Sequence, residues 1–157
     1  MVEIFIYLIG LYNIMEYSWL IFALLSAFTA ALVAIFGKIG LQGIDTNTAT
    51  AIRAVVMALF LAGVVVMQGK LGNIKTIIAD HKALAFIVFS GIAGALSWLF
   101  YFIALKNAKV SQIVPIDRLS VVFALVLAFL FLGEKMSLQA VAGAILIVVG
   151  GILVALA

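Results

Sequence analysis

Residues 83–105 read ALAFIVFSGIAGALSWLFYFIAL and contain no charged side chain. A helix needs about 20 mostly apolar residues to cross the roughly 30 Å hydrocarbon core of a bilayer, because each residue adds about 1.5 Å. This stretch is therefore long enough to span a membrane. Two more stretches without charge, 17–36 and 136–157, have a similar length.

Two further apolar stretches, 46–67 and 110–132, carry ionisable residues in their first third. Arg53 lies in the former, and Asp117 and Arg118 lie in the latter. Helix is the predicted structure throughout, because backbone polar groups in lipid must be satisfied within the segment and no alternating pattern indicates a barrel strand. The sequence thus predicts an all-α, polytopic membrane domain of five transmembrane helices over residues 17–157.

The composition supports a membrane protein and excludes several other classes. Hydrophobic residues make up 68% of the chain and charged residues 10%, against about 45–50% and about 25% in soluble domains. Cysteine is absent, so disulfides and thiolate metal sites are excluded. The net charge of +3 comes from scattered residues rather than a basic run, which argues against nucleic-acid binding. No cofactor is expected.

The segments between the spans are mostly short. Three of them are predicted to be tight turns between antiparallel neighbours: 43–47, 106–109 and 133–137. Asp45, Thr46 and Ser137 are suited to cap the helices that follow. The longer segment 68–82 has apolar residues at helical spacing among lysines, which fits a short interfacial helix or an ordinary loop. Residues 1–16 form an apolar extension of unknown role, too short to span.

Alternation of five spans across the bilayer predicts that charged and aromatic residues share one level. Arg53 and Asp117 each lie about seven residues, or roughly 10 Å, into their spans from the same membrane face. Trp98 has a similar depth, and Tyr101 and Arg118 are within one helical turn of it. Ionisable groups at such depth cost about 2.5–3.5 kcal/mol each, so they commonly mark a pathway or a paired network.

Simpler interpretations of these residues remain open. Arg53 and Arg118 could extend to the headgroups and only anchor helix ends. Asp117 has a shorter side chain and follows Pro115, which weakens the helix, so we favour a functional role over a structural ion pair with Arg53. Trp98 could belong to an interfacial aromatic belt, although its depth equally fits the wall of a cavity.

The distribution of lysine and arginine predicts no single orientation. One face carries Lys70, Lys75, Lys82 and Lys135, and the other carries Lys38, Lys106 and Lys109, or five residues with Arg53 and Arg118. Positive loops normally stay in the cytoplasm, so a balanced count permits insertion both ways. Many transporters combine two repeats of opposite orientation. Because the chain holds one such unit, we predict an antiparallel homodimer.

Three stretches carry a family resemblance: 97–105 (SWLFYFIAL), 114–123 (VPIDRLSVVF) and 129–135 (FLFLGEK). In this spacing they resemble the later half of an EamA-type repeat of the drug/metabolite transporter superfamily, and the resemblance extends over about 17–157. It implies movement of small solutes, metabolites or toxic organic compounds across the cytoplasmic membrane. Most relatives carry two repeats, and this chain departs from them by carrying one.

The resemblance also implies roles for individual residues. Pro115 would be the helix break that lines the cavity, Glu134 the carboxylate at the end of span four, and Trp98 and Tyr101 the aromatic wall. The roles of Asp117 and Arg118 are inferred from depth alone.

The leading hypothesis is a secondary transporter half-unit that binds a small-molecule solute within the lipid bilayer and couples to protons or another ion. The alternative is an accessory or lipid-flipping subunit that pairs with a different membrane protein. An enzyme is not expected, because the sequence has no metal cluster, phosphate-binding glycine loop or nucleophile with a base partner.

Overall fold

The computed structural model describes residues 18–157, so the predicted extension 1–16 lies outside the described part. Helices and short connections account for these residues, and no strand occurs among them. The helices are α1 (Ser18–Gly40), α2 (Thr46–Met67), α3 (Asn73–Ala79), α4 (His81–Asn107), α5 (Val110–Asp117), α6 (Ser120–Leu127), a π-helical turn (Ala128–Leu132) and α7 (Leu138–Leu156). Within this described part, five segments are long and apolar enough to cross a membrane, with Val110–Leu132 counted as one. The predicted all-α fold with five spans is confirmed.

The described part of the chain divides into two units, with the boundary between Phe36 and Gly37. The described part of the first unit is the apolar body of α1. In the second unit α4 contacts α2, α3 and α5, while α5 packs most extensively against α7 and α6 also contacts α7. Side chains of this unit bury a small core at one end of α4: Leu41, Phe102, Leu105 and Ile113.

Polar side chains define where several helices begin. Asp45 caps α2 by accepting hydrogen bonds from the backbone N–H and the hydroxyl of Thr48, both at 2.8 Å. These bonds, the backbone one first, hold the pKa of Asp45 below its usual value. Ser137 caps α7 through a 3.1 Å bond from the N–H of Ala140. Thr46 is the first residue of α2 rather than its cap, and it is buried.

The long connection contains a helix. Residues 73–79 form α3, which packs on α4 and is exposed along its length. Of the two interpretations of segment 68–82, the short helix is thus the one that the structure adopts. Asp80 separates α3 from α4 and accepts a 3.0 Å hydrogen bond from the N–H of Ala83.

Span four is interrupted near its beginning. Pro115 lies in α5 and has no N–H to donate, and the helix is broken between Asp117 and Ser120. Across this break the backbone tightens into three-residue turns, with the N–H of Leu119 donating to the carbonyl of Ile116 at 3.0 Å. The span ends in the π-helical turn, after which Gly133 takes a left-handed φ of 68°. Glycine fits there because it has no Cβ to clash.

Candidate functional site

A cation and three aromatic rings meet between α2 and α4, and we refer to Arg53, Trp98, Tyr101 and Phe102 as the aromatic cluster. The Arg53 guanidinium carbon lies 3.6 Å from the centroid of the Trp98 ring and 5.4 Å from that of Phe102. Trp98 and Phe102 are one turn apart on α4, so both face α2. A cation over an aromatic face is attracted by the negative quadrupole of the ring.

The aromatic rings of this cluster hold one another in place. Trp98 meets Tyr101 edge to face at 5.6 Å and 84°, and it meets Phe102 in the same way at 5.8 Å and 85°. Edge-to-face pairs place the positive edge of one ring on the negative face of another. Phe102 is buried in the small core, which anchors the cluster to the end of α4.

A groove of about 650 Å³ opens beside this cluster. Helices α4, α5 and α7 surround it with small and apolar side chains and four polar ones. The polar residues are Ser97, Tyr101, Gln112 and Asp117. Tyr101 therefore belongs both to the aromatic cluster and to the groove wall, and Asp117 contributes the one carboxylate among the lining residues that the structure describes.

Arg118, although next in sequence, lines a different cavity. That cavity measures about 310 Å³ and lies between the broken part of span four and α7, where Pro115, Gly150 and Gly151 form part of its wall. The approach is closest at Gly151, where an added Cβ would lie 3.0 Å from the carbonyl oxygen of Pro115. Small residues at such points allow helix backbones to approach closely.

The residues that were predicted to share one level of the membrane thus lie in three different parts of the structure. Arg53, Trp98 and Tyr101 are in one cluster, Asp117 lies in the groove that Tyr101 also lines, and Arg118 lies in the smaller cavity. Within residues 18–157 no ion pair joins Asp117 to Arg53. The structural ion pair considered as an alternative is therefore absent from this part of the chain.

Glu134 stands apart from the other predicted site residues. It follows the π-helical turn and Gly133, and it is exposed. It lies seventeen positions after Asp117, which corresponds to about 25 Å along a helical span. The family-based role of Glu134 therefore concerns the opposite end of span four.

Several residues near the site were not singled out from the sequence. Phe102 could have been found from its position one turn after Trp98, and Gln112 from its polarity near the start of span four. Nothing in the sequence indicated the position of Lys38. Its ammonium donates hydrogen bonds to the carbonyls of Leu105 and Ala108 and so caps the C-terminal end of α4. Lone carbonyls at a helix end need such donors.

Residues 18–157 contain no group of three or more His, Asp or Glu side chains close enough to hold a metal ion. The site instead offers a stacked cation, aromatic faces and one carboxylate in an apolar groove. These groups can bind a small organic molecule by stacking, charge and hydrogen bonding.

Residues 17–156 match the model of the EamA-like transporter family. An uncharacterized transporter in the cobO 3′ region of a Sinorhizobium species is 39% identical over 141 residues, which cover 90% of this chain and 99% of that protein. An uncharacterized protein of Methanocaldococcus jannaschii is 31% identical over 80 residues, covering 51% of this chain and 58% of that protein.

No solved structure was found to match the chain. The family match nevertheless spans all five membrane-crossing helices, including the helix break at Pro115 and the groove that contains Asp117. This multi-pass membrane protein belongs to the EamA-like transporter family.

Proposed function

We propose that the chain is one half of a secondary transporter that moves small metabolites or toxic organic compounds across the cytoplasmic membrane by alternating access. Membership of a transporter family supports a role in transport. The groove between α4, α5 and α7 is the proposed solute path. Its volume of about 650 Å³ lies within the roughly 300–1,000 Å³ typical of small-molecule sites.

The observation that carries this proposal is the placement of a carboxylate in an apolar groove. Asp117 lines the groove beside the helix break, opposite apolar side chains of α4 and α7. Ionisable side chains that line the interior of a membrane protein commonly belong to ion or proton pathways. We therefore assign proton coupling to Asp117.

A second copy of the chain is proposed to complete the groove. Transporters commonly place the solute between two inverted repeats, and residues 18–157 hold five candidate spans, which is the number in one repeat. The Sinorhizobium relative is aligned over nearly its whole length, so it too has the length of one repeat. The near-equal numbers of lysines on the two faces allow the copies to insert in opposite directions.

Proton coupling is tested by Asp117→Asn in proteoliposomes that contain a pH-sensitive dye. A solute screen with the unaltered chain first identifies compounds that cause proton movement, and we expect the variant to lose that movement while retaining binding. Asp80→Asn is the matched control, because Asn replaces Asp well as a helix cap. Proton movement that persists in Asp117→Asn would rule out coupling through this residue.

The antiparallel pair is tested by fusing a topology reporter to the C-terminus and by crosslinking in native membranes. Two reporter orientations and a crosslinked mass of two identical chains are expected. A uniform orientation would contradict the proposal. A crosslink to a different protein would favour the accessory or lipid-flipping subunit instead.

A further inference from the structure

We propose that Arg53 forms an oxyanion-binding site in which the guanidinium, held by Trp98, binds a carboxylate or phosphate group. This inference rests on the proposed function, because it names the chemical class of the solute: an organic molecule that carries an oxyanion. The same chemistry is present in a lipid headgroup phosphate, and the experiment below separates the two sources.

The geometry of the stacked guanidinium supports this site. The distance of 3.6 Å between its carbon and the centroid of Trp98 is that of a guanidinium lying flat on the indole ring. Its N–H donors point outward in its own plane, in the fork that matches the two oxygens of a carboxylate or phosphate. Stacking therefore fixes the cation without using its hydrogen bonds.

No group within the described residues 18–157 uses these donors. Among residues 18–157 no carbonyl, hydroxyl or carboxylate accepts a hydrogen bond from Arg53, and no acidic side chain forms an ion pair with it. By contrast, Lys38 and Lys106 donate to backbone carbonyls nearby. A half-buried guanidinium at membrane depth with free donors is an attractive position for an anion, since burial without a partner is unfavourable.

The site adjoins the proposed solute path. Tyr101 contacts Trp98 edge to face and also lines the groove, so a solute in the groove reaches the aromatic cluster at this ring. Asp117 lies on the groove wall as well. Its negative charge favours solutes whose remaining part is neutral or cationic, with the oxyanion directed toward Arg53.

Trp98 can report binding directly. The chain has two tryptophans, and Trp19→Phe leaves Trp98 as the single tryptophan, whose emission is excited selectively at wavelengths that tyrosine does not absorb. The variant protein, purified in maltoside micelles that contain no phosphate, is titrated with benzoate, phenyl phosphate and the neutral benzyl alcohol. We expect a saturable change in Trp98 emission with both anions and at least about tenfold weaker binding of the alcohol.

Variants in the Trp19→Phe background test the role of the guanidinium. Arg53→Gln should weaken benzoate binding by about tenfold or more. Arg53→Lys should bind benzoate with an affinity between those of Arg53→Gln and the Arg53 protein, because an ammonium keeps the charge but lacks the fork geometry. Lys109→Gln removes a positive charge from an exposed position and should change binding by less than about twofold. Equal binding of benzoate and benzyl alcohol, or unchanged binding in Arg53→Gln, would overturn the proposal.

The source of the oxyanion is determined by repeating the titration in phosphatidylglycerol nanodiscs. A benzoate affinity about tenfold lower than in micelles would identify a lipid headgroup as the group bound at Arg53. An unchanged affinity would identify the oxyanion of the solute. A third outcome is that Arg53→Gln dissociates a pair of chains while the Arg53 protein binds no benzoate. Arg53 would then pair with a carboxylate of the second copy, which would overturn the proposal. Binding in micelles requires no transport, so its failure is distinguishable from failure of the proposed function.

Discussion

Adding one methyl group at Gly151 should destabilise the contact between α7 and the broken part of span four, whereas the same change at Gly150 should not. The two glycines are adjacent in one helix, so their depth and helix context are nearly the same. At Gly151 an added Cβ would lie 3.0 Å from the carbonyl oxygen of Pro115, and at Gly150 it would meet no atom within 4 Å.

The magnitude follows from this distance. Carbon–oxygen contacts are usually about 3.3–3.6 Å, so the helices must separate by about 0.3–0.6 Å to admit the methyl group. The opposing atom belongs to the backbone and cannot rotate away. Overpacking of this kind costs about 1–3 kcal/mol, while replacing glycine by alanine in a helix gains at most about 1 kcal/mol.

We therefore expect Gly151→Ala to be less stable than Gly150→Ala by about 1–3 kcal/mol. The assay is unfolding in mixed micelles with increasing SDS, followed by circular dichroism. Gly150→Ala should equal or slightly exceed the unaltered chain. Equal stability of the two variants would show that the approach of α7 to Pro115 is not a tight contact, and would refute the reasoning.

Three further predictions use the same unfolding assay. Leu105 is 0% exposed, and Leu105→Ala should lower the free energy of unfolding by about 2–4 kcal/mol. Leu138 is 86% exposed, so Leu138→Ala should change it little. Similar losses at both positions would contradict the placement of the core. Lys38→Met should cost about 1–3 kcal/mol, because two carbonyls at the end of α4 lose a charged donor, and an unchanged midpoint would show that the bonds contribute nothing. The pKa of Asp45 is lowered in the folded chain, so the ionised carboxylate stabilises the fold at pH values above its usual pKa of 3.8, and this stabilisation is lost as the pH falls through the folded pKa. Asp45→Asn should therefore make the free energy of unfolding less dependent on pH in this acid range. The same pH dependence in the variant and the unaltered chain would count against the cap.

Membrane insertion and helix number could be read from the sequence because both depend on local properties. Stretches of about 20 apolar residues can satisfy their backbone in lipid only as helices. The same reasoning placed Asp45 and Ser137 at helix starts, where their side-chain oxygens accept from the exposed N–H groups. Depth along a span is also local, and it indicated that Arg53, Trp98 and Tyr101 lie at comparable heights.

Rotation of the helices about their axes was decided only by the tertiary structure. Height along a helix does not fix which neighbour a side chain faces, because consecutive residues are turned by about 100°. Asp117 and Arg118 share a depth, yet the fold directs one to the groove and the other to the cavity beside Gly151. Packing of α5 against α7, made possible by a glycine at the closest approach, determines that difference.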